Sequence, residues 1–111
     1  MSAAGETRFG SFRLDRRARR LWSGSEEVLL TPKAMEVLLF LLDRAGTVVK
    51  REELLEAVWP ETYVDDHALS VQIREIRKAL GDQPGKPKYI ETRHRRGYLF
   101  IGEVLREASE P

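Results

Sequence analysis

The sequence predicts an α+β fold in which short antiparallel strands come first, three helices follow and a β-hairpin comes last. Three observations predict it. Clusters of aliphatic and aromatic residues, broken by turn residues, fill the first thirty positions. Three later stretches carry apolar residues at helical spacing between start and stop signals. Two strand-like runs, "YIET" and "YLFIGEV", then flank "RHRR" and Gly97. A length of 111 residues is enough for one core and too short for two ordinary domains.

In chain order, "RFGSFRLD", "ARRLW" and, after the turn signal "SGS", "EEVLLT" read as three or four short strands across residues 7 to 30. Thr31 and Pro32 are a hydroxyl N-cap and a first-turn proline, and Gly46 is a stop, so the first helix lies between them. Its Ala34, Val37, Leu38, Leu41, Leu42 and Ala45 share one face. Leu39 and Phe40 widen that face, as in a helix buried on most sides. "TVVK" reads as a brief strand. "REELLEAVW" reads as a second helix that starts without a good cap at Lys50 and ends at Pro60.

The third helix begins at Asp65 or Asp66, both good caps, and runs to Leu80 with Gly81 as its stop. Leu69, Ile73, Ile76 and Leu80 recur at spacings of four, three and four, which makes them the core face. The opposite face holds His67, Val71, Arg74, Glu75 and Lys78. Ala68 and Gln72 lie on one flank, Ser70 and Arg77 on the other. After the loop "DQPGKPK", the pair "YIET" and "YLFIGEV" forms the hairpin. Helix, helix and hairpin in this order suggest a winged helix-turn-helix, whose second helix of the pair enters a major groove beside the wing.

Charge points the same way. The net charge is +1, yet residues 67 to 98 hold eight Lys or Arg against three Asp or Glu, while residues 26 to 66 hold four against ten. A local basic field draws polyanions even to a nearly neutral molecule; a solvated charged surface is the plainer reading of any one such segment. With no cysteine, neither a disulfide nor a thiolate metal site can form. The longest apolar run, Val37 to Leu42, is far short of the roughly 20 residues that span a bilayer. "SAAGETR" after Met1 lacks the apolar segment of a signal peptide, so the expected setting is the cytoplasm, at the nucleoid.

"LTPKAMEVLLFLL", "REELLEAVWP", "YVDDHALSVQIREIRKALGD" and "YIETRHRRGYLF" resemble, in order and spacing, the winged-helix effector domain of the OmpR/PhoB family of bacterial transcription regulators. The resemblance covers residues 7 to 104. It implies sequence-specific binding of double-stranded promoter DNA, with the third helix in the major groove and the wing in the minor groove. The domain starts within about ten residues of Met1, and with "YIET" and "RRGY" this looks like the ToxR/CadC-like branch, in which the DNA-binding domain comes first. Residues 1–6 are then a disordered N-terminus, and the polar tail 105–111 opens a linker to further, even membrane-anchored, parts.

The resemblance also implies roles. On the third helix the DNA-facing positions fall at His67, Ala68, Val71, Gln72, Arg74, Glu75, Arg77 and Lys78. Arg77 and Lys78 go to phosphates and Arg74 to a phosphate or a base. Glu75 stands where the best-known members have arginine; it either accepts from a cytosine amine or pairs with Arg74 or Lys78 along the helix. On the wing the matching positions are Thr92, Arg93, His94, Arg95, Arg96 and Tyr98, with Arg95 preferred over His94 for the minor groove. Tyr98 either approaches the backbone or lies under the wing. Trp59 is expected in the core and Trp22 on the N-terminal sheet. Pro60 to Val64 match the loop associated in the family with RNA polymerase or neighbouring subunits, and self-association on direct repeats is implied.

An enzyme fits poorly. His67 and His94 are the only histidines, they have no ligand-spaced partner, and no glycine-rich phosphate loop occurs. No cofactor, metal or small-molecule substrate is expected. The competing reading is a winged helix that binds a protein instead of DNA.

Overall fold

The computed structural model describes residues 6–106. The elements in order are β1 (Glu6–Phe9), β2 (Phe12–Asp15), β3 (Arg20–Ser23), β4 (Glu26–Val28), α1 (Pro32–Asp43), β5 (Val49–Lys50), α2 (Arg51–Val58), α3 (Asp66–Leu80), β6 (Ile90–Arg93), β7 (Gly97–Phe100) and β8 (Val104–Arg106). They fall into two compact units, one reaching to Leu29 and resuming at Gly102, the other Leu30–Ile101. The α+β winged helix-turn-helix expected from the sequence is what the chain adopts.

The first unit is a five-stranded antiparallel sheet in the order β4-β3-β2-β1-β8. Alternation along the strands buries Thr7, Phe9, Phe12, Leu14 and Leu21. Arg8, Arg13, Trp22 and Glu27 stand in register across the other face. Trp22 lies there half-buried, with the guanidiniums of Arg13 and Arg20 at 5.5 and 5.2 Å from its ring. The run "YLFIGEV", expected as one hairpin strand, is split: β7 stays with the wing, whereas β8 pairs with β1. The split comes where the Ile101 N–H bonds back to the Tyr89 carbonyl at 2.8 Å and Gly102 turns the chain. Glu6 opens β1 and Leu105 and Arg106 belong to β8, so strand replaces part of the expected termini. The rest of those expectations, residues 1–5 and 107–111, lies outside the described residues.

In the second unit, Thr31 caps α1 by accepting from the Ala34 N–H at 3.2 Å, with Pro32 at the first helical position. Ala34, Met35, Val37, Leu38, Leu41 and Leu42 are buried; Leu39 and Phe40 are only half-buried, and the Arg44 guanidinium lies 3.7 Å from the Phe40 ring centre. The N-cap of helix α2 is Lys50, whose ammonium cannot accept a capping bond. Glu53 supplies the reciprocal half alone, taking the Lys50 N–H at 3.0 Å. Leu54 and Val58 of α2 and Leu69, Ile73, Ile76 and Leu80 of α3 complete the helical part of the core. The small sheet β5-β7-β6 adds Val49, Ile90, Leu99 and Phe100.

Candidate nucleic-acid interface

Helix α3 is set at both ends by its own sequence. Asp65 accepts from the His67 and Ala68 N–H groups at 3.1 and 3.4 Å, and Arg51 reaches Asp66 at 3.5 Å from the start of α2. At the far end Gly81 takes a left-handed φ of 71°, and the Asp82 N–H returns to the Arg77 carbonyl at 2.8 Å. With the apolar face buried, His67, Ser70, Arg74, Glu75 and Lys78 are exposed, and Ala68, Val71, Gln72 and Arg77 are half-buried. Gln72 meets the Thr31 hydroxyl at 3.4 Å. An open groove of about 560 Å³ runs beside the helix, lined by His67, Ser70, Arg74, Lys78 and the following loop at Asp82 and Pro84.

Arg74, Glu75 and Lys78 form no ion pair among the described residues, so the helix-surface pairing considered for Glu75 is not formed. Arg77 is placed differently. Its Nη2 donates to the Ile90 carbonyl at 2.8 Å and to the Thr92 hydroxyl at 2.9 Å, and its Nε is buried without a partner. Arg77 and Thr92, both assigned to DNA by resemblance, are thus joined to each other across the helix and the wing.

The wing is a tight hairpin. Arg93 pairs with Gly97, and the Arg96 N–H closes the turn on the Arg93 carbonyl at 2.9 Å. That leaves His94, Arg95 and Arg96 as the loop, all exposed. Arg95 takes a left-handed φ of 65°, unusual for a residue other than glycine, asparagine or aspartate. Arg93 is held by Glu91 at 3.2 Å, whereas the side chains of His94, Arg95 and Arg96 have no protein partner among the described residues. Arg95 and Arg96 line a second open groove, of about 520 Å³, with Val48, Lys50 and Glu52. Lys50 adds a cation that sequence reading missed; its only sequence sign was its poor fit as a helix cap.

Gly97 has a reason not visible in the sequence. A Cβ there would overlap the Val49 carbonyl, because β5 runs hard against β7, and its φ is 150°. Tyr98 is buried, with 7% of its surface exposed, and pairs with Val49 on one side and Thr92 on the other. Burial pushes its phenol pKa up, partly offset by Arg51 and Arg77. This burial fits the packing role considered for Tyr98. Trp59 is half-buried at the end of α2, with the Lys33 ammonium 5.8 Å from its ring and bonded to the Val58 carbonyl at 2.7 Å.

A three-helix unit with a cationic helix and a cationic hairpin tip defines a winged-helix module of the transcription-regulator class. The chain belongs to the family described as "Transcriptional regulatory protein, C terminal", whose model matches residues 25–100. Over 76 residues, 68% of this chain and 33% of the relative, it is 41% identical to the regulatory protein VanRc of Enterococcus gallinarum. Its structure is similar to the Klebsiella pneumoniae RstA DNA-binding domain solved in complex with the RstA box (TM-score 0.78, 33% identity, 86% of this chain and 96% of that one). It is similar also to the DNA-binding domain of Escherichia coli CadC (TM-score 0.81, 26% identity, 96% of this chain and all of that one). The chain therefore spans about a third of the length of VanRc. No helix among the described residues is long and apolar enough to cross a membrane.

Proposed function

We propose that residues 7 to 104 form a sequence-specific binder of double-stranded promoter DNA, with α3 in the major groove and the wing tip in the minor groove. The observation that carries this reading is the state of the cations. Arg74 and Lys78 on the exposed face of α3 and Arg95 and Arg96 on the wing tip have no carboxylate partner among the described residues, and each pair lines an open groove. Unpaired arginines at the tip of a narrow hairpin suit a minor groove, which a helix cannot enter and whose narrow A·T tracts concentrate negative potential. Arg74, Glu75 and Val71 are the base-reading candidates; Lys78, Arg93 and Arg96 follow phosphates, and Arg95 enters the minor groove.

Titration of labelled duplexes, with sites first selected from random sequence, tests the reading. Binding should weaken steeply with salt, because each neutralised phosphate releases counterions. An Arg93→Ala, Arg95→Ala, Arg96→Ala variant should bind more weakly with a flatter slope; unaltered affinity and slope in this variant, still folded, would remove the wing from the interface. Arg74→Ala and Glu75→Ala should relax preference at single positions, by about 1 to 3 kcal/mol per good base contact, and Lys78→Ala should weaken all sequences alike.

Two partner proposals accompany it. Two copies bind a direct repeat with half-sites about one helical turn apart, which puts both on one side of the duplex. The loop from Pro60 to Val64, which carries the exposed Tyr63, is offered to RNA polymerase on the family resemblance. Activity in the cytoplasm follows from a DNA target.

A further inference from the structure

The carboxylate of Asp82 joins the recognition helix to the wing. Its backbone belongs to the end of α3, since its N–H returns to the Arg77 carbonyl. Its side chain belongs to the start of the wing. Oδ1 accepts from the N–H groups of Gln83 at 3.0 Å and Lys88 at 2.6 Å, and Oδ2 accepts from Tyr89 at 3.1 Å and Ile90 at 2.9 Å. Asp82 is buried, with 7% of its surface exposed. Four N–H donors around one carboxylate replace the water it gives up. From the same last turn of α3, Arg77 takes the Ile90 carbonyl and the Thr92 hydroxyl. Ile90 is therefore held at both its N–H, by Asp82, and its carbonyl, by Arg77.

We infer that Asp82, with Arg77, is a positioning residue that fixes the wing relative to α3, and so fixes how many base pairs separate the bases read by the helix from the minor groove reached by the tip. The inference rests on the DNA-binding reading above. Apart from the Asp82 bonds, the loop residues 83 to 88 are held among the described residues by one bridge, between Gln83 and Lys86, so they do not set this spacing by themselves. Without the carboxylate the helix keeps its cap at Gly81 and the hairpin keeps its ladder, while the link between them loosens.

Asp82→Asn is the test, because it preserves size and replaces one acceptor oxygen with an NH₂ that faces N–H donors. Amide exchange of Lys88, Tyr89 and Ile90 should quicken by about tenfold, the factor that corresponds to about 1.4 kcal/mol, with α1 amides unchanged. On selected duplexes the variant should keep the base preferences under α3, lose the A·T preference at the wing and show a salt slope flatter by about one unit. Unchanged exchange at the three amides would overturn the inference, as would equal loss of helix-read and wing-read preferences. Should the variant not fold, the wild-type chain decides: protection of these amides matching the β6–β7 ladder supports the brace, and fast exchange overturns it. Wild-type chain that fails to bind duplex at all would defeat the DNA reading, while the exchange data still show whether the brace exists.

Discussion

Gly97→Ala should be the most damaging single-methyl change in the hairpin, and the structure allows its size to be worked out. The added Cβ would overlap the Val49 carbonyl oxygen, with the carbonyl carbon at 2.8 Å and the Lys50 Cα at 3.0 Å, so backbone and not a flexible side chain must yield. A φ of 150° adds strain of order 1 to 3 kcal/mol for a residue with a Cβ. Relief requires β5 to leave β7, which forfeits the Val49–Tyr98 and Lys50–Gly97 pairing, about 1 kcal/mol per backbone bond lost. A total of about 3 to 5 kcal/mol is a large share of the 5 to 15 kcal/mol typical of a domain. Two further glycines calibrate it. Gly81 has a left-handed φ but open space, so Gly81→Ala should cost about 1 to 2 kcal/mol; Gly85 has neither constraint, so Gly85→Ala should change stability by less than about 1 kcal/mol in either direction. Urea unfolding followed by circular dichroism measures all three. If Gly97→Ala costs no more than Gly81→Ala, the close approach of β5 is not a rigid feature and the steric argument fails.

Asp65→Ala should cost about 1 kcal/mol in the same assay, since Asp65 is the side-chain cap of α3; no loss would mean that water or Asp66 caps equally well. Tyr98 has a pKa raised by burial, so its contribution is intact at neutral pH and is lost as pH rises above the unfolded tyrosine value of about 10 through the higher folded one. Tyr98→Phe should flatten this alkaline decline in the urea midpoint, and an identical decline in the variant would place its origin elsewhere. Arg19 and Arg95 both have left-handed φ values, so Arg19→Gly and Arg95→Gly should each raise stability by about 1 kcal/mol or less. Only Arg95→Gly should weaken duplex binding, by anisotropy titration; equal binding by both variants would count against the tip contact.

What the sequence disclosed was mostly local chemistry. Thr31 before Pro32, Asp65 before an apolar repeat and Gly81 after it each act within a few residues, and each cap forms where the sequence puts it. The spacing of Leu69, Ile73, Ile76 and Leu80 fixed which side of α3 is exposed, and with it most of the candidate interface. The hidden features depend on partners far along the chain. Nothing near Val104 signals that β8 joins β1, because that pairing lies between the two ends of the sequence. Asp82 looked like an ordinary loop residue, and its one sign was an acid directly after a helix-stopping glycine. Arg77 has the right residue type for a phosphate contact, and helical periodicity cannot show that its guanidinium also holds a strand carbonyl.

The arginines at the wing tip are better understood once Gly97 is accounted for. A hairpin turn with a left-handed position ordinarily places glycine or asparagine there, since these residues adopt it at little cost. Here the one glycine of "RHRRG" sits two residues later, required by the Val49 carbonyl, and the left-handed position falls to Arg95. The strain is small and local, and no contact among the described residues offsets it, because the Arg95 side chain has no protein partner there. Burial cannot account for the choice either, since Arg95 is exposed. Solubility would be served equally by a cation at a relaxed position, and Arg96 next door already provides one. Strain and exposure alone do not single out Arg95, because Arg19 in the turn between β2 and β3 shares both. Under the proposed DNA-binding reading the difference is that Arg95 lies at the tip of the wing, where a narrow hairpin can enter a minor groove, and the Arg19→Gly and Arg95→Gly pair tests it.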